Sequence, residues 1–463
     1  MSGLRVVAVT DTDSYLKWGA ATLDRLPAEW TTHVLVLRSP VAPTPSQRAG
    51  ALAGTRFAAS GVPGGVVDVT RWTLLRELER LAPDVLLVAA TGPVADLVVR
   101  LVRRRGGLAP LIVTGLPGMS IPATELALRL RAGSDLFVAH SAREQRDFAA
   151  LAAGLGLGMG VVRGRLPFLH VGAVAVGAPS GTTSTLLAGG ALPTRPDPVR
   201  RVLFTPQAKM PVAAADRERI LLALDALATS RPDIEVIVKL RALAGEAQTH
   251  REALPYDRLW ARLVERGEVT AGAVALRTGP LGELLEPGTA LVTVSSTAVL
   301  EALGARLPVL VLGDFGVDEA NLTYAFADSG LIGSLDDLAA ARFYSPDRAW
   351  LAENYFHDDD GLEAALVAAV VEQRAAGGIG PGAADRPGAT PRMRLRTAVR
   401  TGLPLGLLRR TGKLSRTLQK ARKRARRRWR RRLRALRSAS LSPSATRRDR
   451  VRFLAPGARN RAL

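Results

Sequence analysis

A chain of 463 residues, 47% hydrophobic and with a mean hydropathy of +0.10, is too long for one ordinary core and rich enough to build two. It contains no cysteine, which excludes disulfides, thiolate metal sites and cysteine nucleophiles, and its five histidines (His33, His140, His170, His250, His357) lack metal-ligand spacing. The net charge of +22 belongs to one end: 26 of the 64 basic residues but only one of the 42 acidic ones, Asp449, lie in 389–463, so that segment carries +25 and the remainder −3.

In chain order, residues 4–9 read as a buried strand with no charged leader or cleavage site before them. A helix over 15–26 follows, then short strands over 33–37 and 66–69, an amphipathic helix over 71–81 and a buried strand over 84–89. Next come a helix at 94–103, a strand at 110–114, a helix at 125–131, a strand at 135–139 and a helix at 142–153. The alternation predicts a mostly parallel sheet covered by helices on both faces. A Gly/Ser/Thr/Pro-rich stretch over 177–198 reads as an interdomain linker. The alternation then restarts, with strands at 201–204, 234–240, 274–276, 291–294 and 308–312. Helices are expected at 212–229, 255–265, 281–285, 298–305, 337–340 and 362–373. The expected fold is α/β: two Rossmann-like βα domains, 1–176 and 199–375, then a flexible linker over 376–391 and an Arg-rich tail over 392–463.

Within the tail, Leu414, Leu418, Ala421, Ala425, Trp429, Leu433 and Leu436 recur at spacings of three and four, an apolar stripe set in an arginine-covered helix. Such a helix suits an anionic bilayer surface. Nucleic acid is the rival partner, and a solvated tail without a specific partner is the third reading. No apolar run reaches the roughly 18 to 20 residues of a membrane span. A cytoplasmic protein, peripheral at the inner face of the cell membrane, is expected.

Doubly wound domains bind ligands beyond the carboxyl ends of their strands. In the first domain those ends offer Asp11, Thr12 and Asp13, then Lys17, Trp18 and Gly19; the loop Thr114 to Glu125, with Gly115, Pro117, Gly118 and Ser120; and His140 with Ser141. The second domain offers Lys209, Lys239, Arg241, Asp314 and the turn Ser295-Ser296-Thr297 between a strand and a helix. That turn supplies hydroxyls, backbone amides and a helix start, all suited to phosphate, although Ser and Thr are also ordinary helix caps. Asp11 and Asp13 have a capping alternative, and His140 a structural one. The cations of the second domain suit a nucleotide-phosphate donor, and the carboxylates of the first suit an acceptor and a base. No Walker A motif, no GxSxG elbow and no GxGxxG after the first strand are present, and the glycine run at 155–160 stands in the wrong context for a phosphate loop.

The two-domain plan and the segment VSSTAVLEALGARLPVLVL resemble GT-B glycosyltransferases, among them capsule, sialyl- and polysialyltransferases and cell-wall glycerophosphotransferases. The segments TDTDSYLKWGA, FTPQAKMP, VIVKLRALAGEAQTHRE, VTVSSTAVLEALG, GDFGV and WLAENYFHDD further resemble an actinobacterial family of unknown function that carries a glycosyltransferase label, over roughly residues 1 to 375. The sialyltransferase-like groups carry a His-Pro pair where this chain has KLRALAGE, so Lys239 and Arg241 would supply the positive contact.

The resemblance implies a metal-independent, inverting enzyme that uses no cofactor. It would move a sugar, or a related phosphate-bearing unit, from a nucleotide-activated donor to a cell-envelope polysaccharide or lipid-linked acceptor. Ser295, Ser296 and Thr297 would hold the donor phosphate, with Lys209, Lys239, Arg241 and Asp314 nearby and Glu301 on the ribose. Asp13 is the first choice of general base, with Asp11 and His140 in reserve. Gly115, Pro117, Gly118 and Ser120 would shape the acceptor side. A non-catalytic nucleotide- or polymer-binding protein and a sugar-nucleotide epimerase are the alternatives.

Overall fold

The computed structural model describes residues 3–39, 41–58, 65–105, 107–167, 169, 198–207, 209–240, 254–279, 281–319, 323–357, 361–378, 390–392, 395 and 399. Arg241, nearly all of the 177–198 linker and the tail helix over 414–436 lie outside the described residues.

The first sheet is built from β1 (Arg5–Thr10), β2 (Thr31–Leu37), β3 (Val66–Val69), β4 (Val85–Ala89), β5 (Leu111–Gly115), β6 (Leu136–Ala139) and β7 (Gly160–Arg163). All seven run parallel, in the order β3-β2-β1-β4-β5-β6-β7. Its helices are α1 (Asp13–Asp24), α2 (Pro45–Leu52), α3 (Leu74–Leu81), α4 (Gly92–Arg103), α5 (Glu125–Arg129) and α6 (Ala142–Gly154). The second sheet holds β8 (Arg201–Phe204), β9 (Glu235–Lys239), β10 (Val274–Arg277), β11 (Thr289–Thr293), β12 (Val309–Leu312) and β13 (Ile332–Gly333), parallel and ordered β10-β9-β8-β11-β12-β13. With it come α7 (Ala214–Ser230), α8 (Tyr256–Glu265), α9 (Ala298–Gly304), α10 (Leu335–Ala339), α11 (Arg348–Glu353) and α12 (Leu362–Ala375).

Each strand order reverses once, between β1 and β4 in the first sheet and between β8 and β11 in the second, which is where doubly wound sheets open a crevice. The central strands are buried along their whole length, as in VLLVA of β4 and TALVT of β11, because helices cover both faces. One apolar core joins the two sheets, running from Leu16, Trp18, Val113 and Ile121 to Ala298, Val299, Phe326 and Tyr355.

Several elements depart from the expectation. α2 was readable from its capping box, in which Thr44 and Gln47 bond reciprocally across a Pro start, but its weak apolar face hid it. The glycine run at 155–160 leads into β7, an only half-buried edge strand without a strong apolar signal. α12, assigned by sequence to the second domain, packs on the first sheet. Gln373 donates to the Ala109 carbonyl (2.7 Å), Arg374 pairs with Asp84 (2.7 Å), and Leu362 fills the space beside Gly164. The helix after β1 is capped by Thr12, whose hydroxyl accepts from the Tyr15 amide, and not by Asp11 or Asp13.

Candidate functional site

At the first switch point the chain leaves β1 through Asp11, which is fully buried. Its carboxylate accepts from the Thr91 amide (2.9 Å) and the Thr91 hydroxyl (2.5 Å), tying the end of β1 to the start of α4. Burial raises its pKa to about 6 against the Thr91 hydrogen bonds and the charge of Arg131, which lower it. Arg131 is the buried hub beside it. Its Nε donates to Thr114 Oγ1 (3.0 Å), Nη1 to the Ala127 carbonyl (3.2 Å), and Nη2 to the Tyr15 hydroxyl and the Ala90 carbonyl (2.8 Å each). Asp11 is thus a buried brace with both carboxylate oxygens engaged.

His140 is likewise engaged at both ring nitrogens. Its Nδ1 lies 3.0 Å from the Gly164 carbonyl, and its Nε2 receives the Trp18 indole N–H at 2.8 Å. Those two bonds require the neutral tautomer protonated on Nδ1, so Nε2 acts as an acceptor although the Leu116 carbonyl is 3.1 Å away. A buried imidazole committed at both nitrogens is structural. Gly115 serves the same packing. A Cβ there would meet the Trp18 ring at 2.8 Å and the Val138 carbonyl at 2.9 Å, so its small size admits Trp18.

The loop after β5 is held by Glu144, which was not singled out from the sequence. Its carboxylate accepts from the amides of Ser120 (2.6 Å) and His140 (2.8 Å) and from the Tyr355 hydroxyl (2.6 Å). Full burial pushes its pKa above the ordinary range, opposed by the bond from Tyr355. His357 Nε2 adds a contact to the His140 carbonyl (3.1 Å). The chain returning from the second sheet is thereby fastened to the loop that carries Pro117, Gly118 and Ser120. Tyr355 and His357 were visible in WLAENYFHDD, but nothing in that string says what they touch.

On the second sheet, Ser295, Ser296 and Thr297 follow β11 at the switch point. Ser295 is only 7% exposed and its Oγ is buried without a hydrogen-bond partner among the described residues. Ser296 Oγ accepts from the Ala298 amide (3.2 Å), and Thr297 is exposed with no side-chain cap bond. α9 is only seven residues long, so the turn's hydroxyls and amides matter more here than the expected helix dipole. Lys239 ends β9, buried, with Nζ on the Leu240 carbonyl (2.9 Å). Lys209 is exposed in the loop after β8. Asp314 accepts from the Leu335 amide (3.0 Å), binding the loop after β12 to the start of α10.

Two contacts close the first domain on this turn. A Cβ on Gly118 would stand 3.1 Å from Thr297 Cγ2, and Lys17 Nζ on α1 pairs with Glu301 Oε1 on α9 at 3.3 Å. Asp13 is partly exposed and one helical turn before Lys17, hence on the same face of α1. The structure therefore gathers Lys17, Gly118, Thr297 and Glu301 between the two sheets, with Asp13 on the Lys17 face of α1.

Two doubly wound sheets whose switch-point residues meet across one cleft define a two-domain fold of the GT-B type. The chain belongs to the family described as "Putative glycosyltransferase (DUF6716)", whose model matches residues 6–373, and so to a glycosyltransferase family. No curated protein matches it. Among solved structures, the UDP-GlcNAc 2-epimerase of Neisseria meningitidis bound to UDP-GlcNAc is similar at 13% identity and TM-score 0.48, over 80% of this chain and 100% of that one. A lipopolysaccharide outer core galactosyltransferase is similar at 11% identity and TM-score 0.40, over 86% and 100%. Arabidopsis thaliana UGT89C1 complexed with quercetin is similar at 14% identity and TM-score 0.42, over 87% and 100%.

Proposed function

We propose that the cleft transfers a sugar, or a related phosphate-bearing unit, from a nucleotide-activated donor to a cell-envelope polysaccharide or lipid-linked acceptor. The donor phosphate would lie at Ser295, Ser296 and Thr297, with Lys239 and Arg241 adding charge that stabilises the leaving group as it develops. Glu301 would take the ribose and Asp13 the proton of the acceptor hydroxyl. The observation that carries this reading is the buried Ser295 hydroxyl at the second switch point, without a hydrogen-bond partner among the described residues and two residues before Thr297, which Gly118 of the first domain approaches. A buried hydroxyl without a partner costs about 1–3 kcal/mol, a cost that a phosphate oxygen would relieve.

Thermal unfolding of the full chain against CMP, CDP, UDP, GDP, dTDP and ADP tests it. One nucleotide series should stabilise the chain by about 2.7 kcal/mol at 100 times its dissociation constant, a rise of several degrees. Ser295→Ala should leave the unliganded melting temperature unchanged or higher while removing that rise. A folded chain that responds to no nucleotide refutes the donor site.

The tail extends the proposal to an anionic membrane surface, which would hold the enzyme near a lipid-linked acceptor. Support comes from the +25 charge of 389–463 and the apolar stripe ending at Leu436. The full chain should co-sediment with phosphatidylglycerol vesicles, release with added salt and ignore phosphatidylcholine, and deletion of 389–463 should abolish binding. A full chain that ignores both vesicles yet retards DNA would instead assign the tail to nucleic acid.

A further inference from the structure

We propose that Lys17, on the first domain, is a ligand of the donor phosphate, and that Glu301 holds it beside the site until a nucleotide arrives. The inference rests on the donor reading above. Lys17 Nζ and Glu301 Oε1 are 3.3 Å apart across the cleft, and both side chains keep solvent access, 39% and 21% exposed. Glu301 lies one helical turn beyond Thr297, which is about 6 Å along the axis. The rotatable bonds of the lysine stem let Nζ turn from Glu301 toward a phosphate held at the Ser-Ser-Thr turn. The second domain presents Lys239 close to its own backbone, on the Leu240 carbonyl. Lys17 brings a cation from the opposite wall, beside the Gly118 contact with Thr297.

The physical preference is one of charge. A half-exposed Lys–Glu pair contributes little to stability, and a phosphate group carrying one to two negative charges with several acceptor oxygens competes well for the ammonium. On exchange, the Glu301 carboxylate becomes available to accept from ribose hydroxyls, while the Lys17 ammonium meets the phosphate. One ion pair would thus couple recognition of the two halves of a nucleotide to contact between the domains.

The test is isothermal titration of the full chain with UDP, GDP, CDP, ADP, dTDP and CMP and with their parent nucleosides. Lys17→Met should weaken the nucleotide that binds by tenfold or more and leave its nucleoside unchanged. Lys17→Arg should stay within a few-fold of the unaltered chain. Glu301→Gln should weaken the nucleoside, because it removes the carboxylate that accepts from the ribose, and weaken the nucleotide less, because the Lys17 ammonium no longer has to leave an ion pair. Lys17→Met binding the nucleotide as tightly as the unaltered chain overturns the proposal and leaves the donor site standing. An equal loss for nucleotide and nucleoside in both Lys17→Met and Glu301→Gln also overturns it, since the pair would then serve only to join the domains. An unaltered chain that binds none of the nucleotides removes the donor reading and this inference together.

Discussion

Arg131→Met is expected to destabilise the chain by about 3–5 kcal/mol, the usual consequence of removing one member of a buried charged network. Four acceptors would lose their donor at once: Thr114 Oγ1, the carbonyls of Ala127 and Ala90, and the Tyr15 hydroxyl. Asp11 would lose the nearby positive charge that opposes its desolvation. Three of these groups sit at the carboxyl ends of β4 and β5 and on the first turn of α1, and Ala127 lies on α5, so most of the loss falls on the frame of the first switch point. For a body of this size the melting temperature should drop by roughly 5 °C. Arg131→Lys should recover only part of it, because one ammonium cannot reproduce a planar fork aimed at acceptors on several elements. Circular dichroism melts of the three chains decide the matter. A drop under about 2 °C for Arg131→Met would mean that water replaces the guanidinium and that the hub is not structural.

Arg131 also shows where a reading of one dimension stops. In ELALRLRAGSD it looks like one more solvated arginine after a short amphipathic helix, and only the fold reveals that β4, β5 and α1 converge on it. The strands themselves were legible because burial on both faces leaves uninterrupted apolar runs such as VLLVA and VLVL. Edges were not: β7 and the two-residue β13 are too short or too exposed to carry a pattern. Within the site, the Ser-Ser-Thr turn was legible because strand, hydroxyls and helix adjoin in sequence. Glu144 was not, because its partners Ser120, His140 and Tyr355 lie up to 211 residues away. His140 was noticed for its chemistry, and its chemistry is spent on Trp18 and Gly164. The same limit explains why Lys17 passed as one residue among several after β1.

Asp13 and Asp11 are two residues apart, one partly exposed and one fully buried, so paired substitutions should separate the role proposed for each. Asp13→Asn should lower transfer by about 10²–10⁴-fold, the range of a lost general base, with nucleotide stabilisation intact, since the donor turn is untouched. Turnover is read with the sugar nucleotide of whichever base stabilises the chain. Asp11→Asn should keep most of the transfer, because a fully buried carboxyl bonded to Thr91 offers no face to an acceptor. Its signature is in stability against pH. The folded-state pKa of Asp11 is raised from 3.8 to about 6, so on raising the pH the unfolded chain releases this proton first. The contribution of Asp11 to stability is therefore fully present below pH 4 and is lost as the pH rises through 6, by about 3 kcal/mol for a shift of two units. Glu144, also raised by burial, tilts the profile the same way, and the difference between the unaltered chain and Asp11→Asn isolates Asp11. That difference should change between pH 4 and 6 and stay level from 7 to 8. Should Asp11→Asn abolish transfer while Asp13→Asn spares it, the cleft must open enough to bring the buried carboxyl to the acceptor, and the two roles exchange.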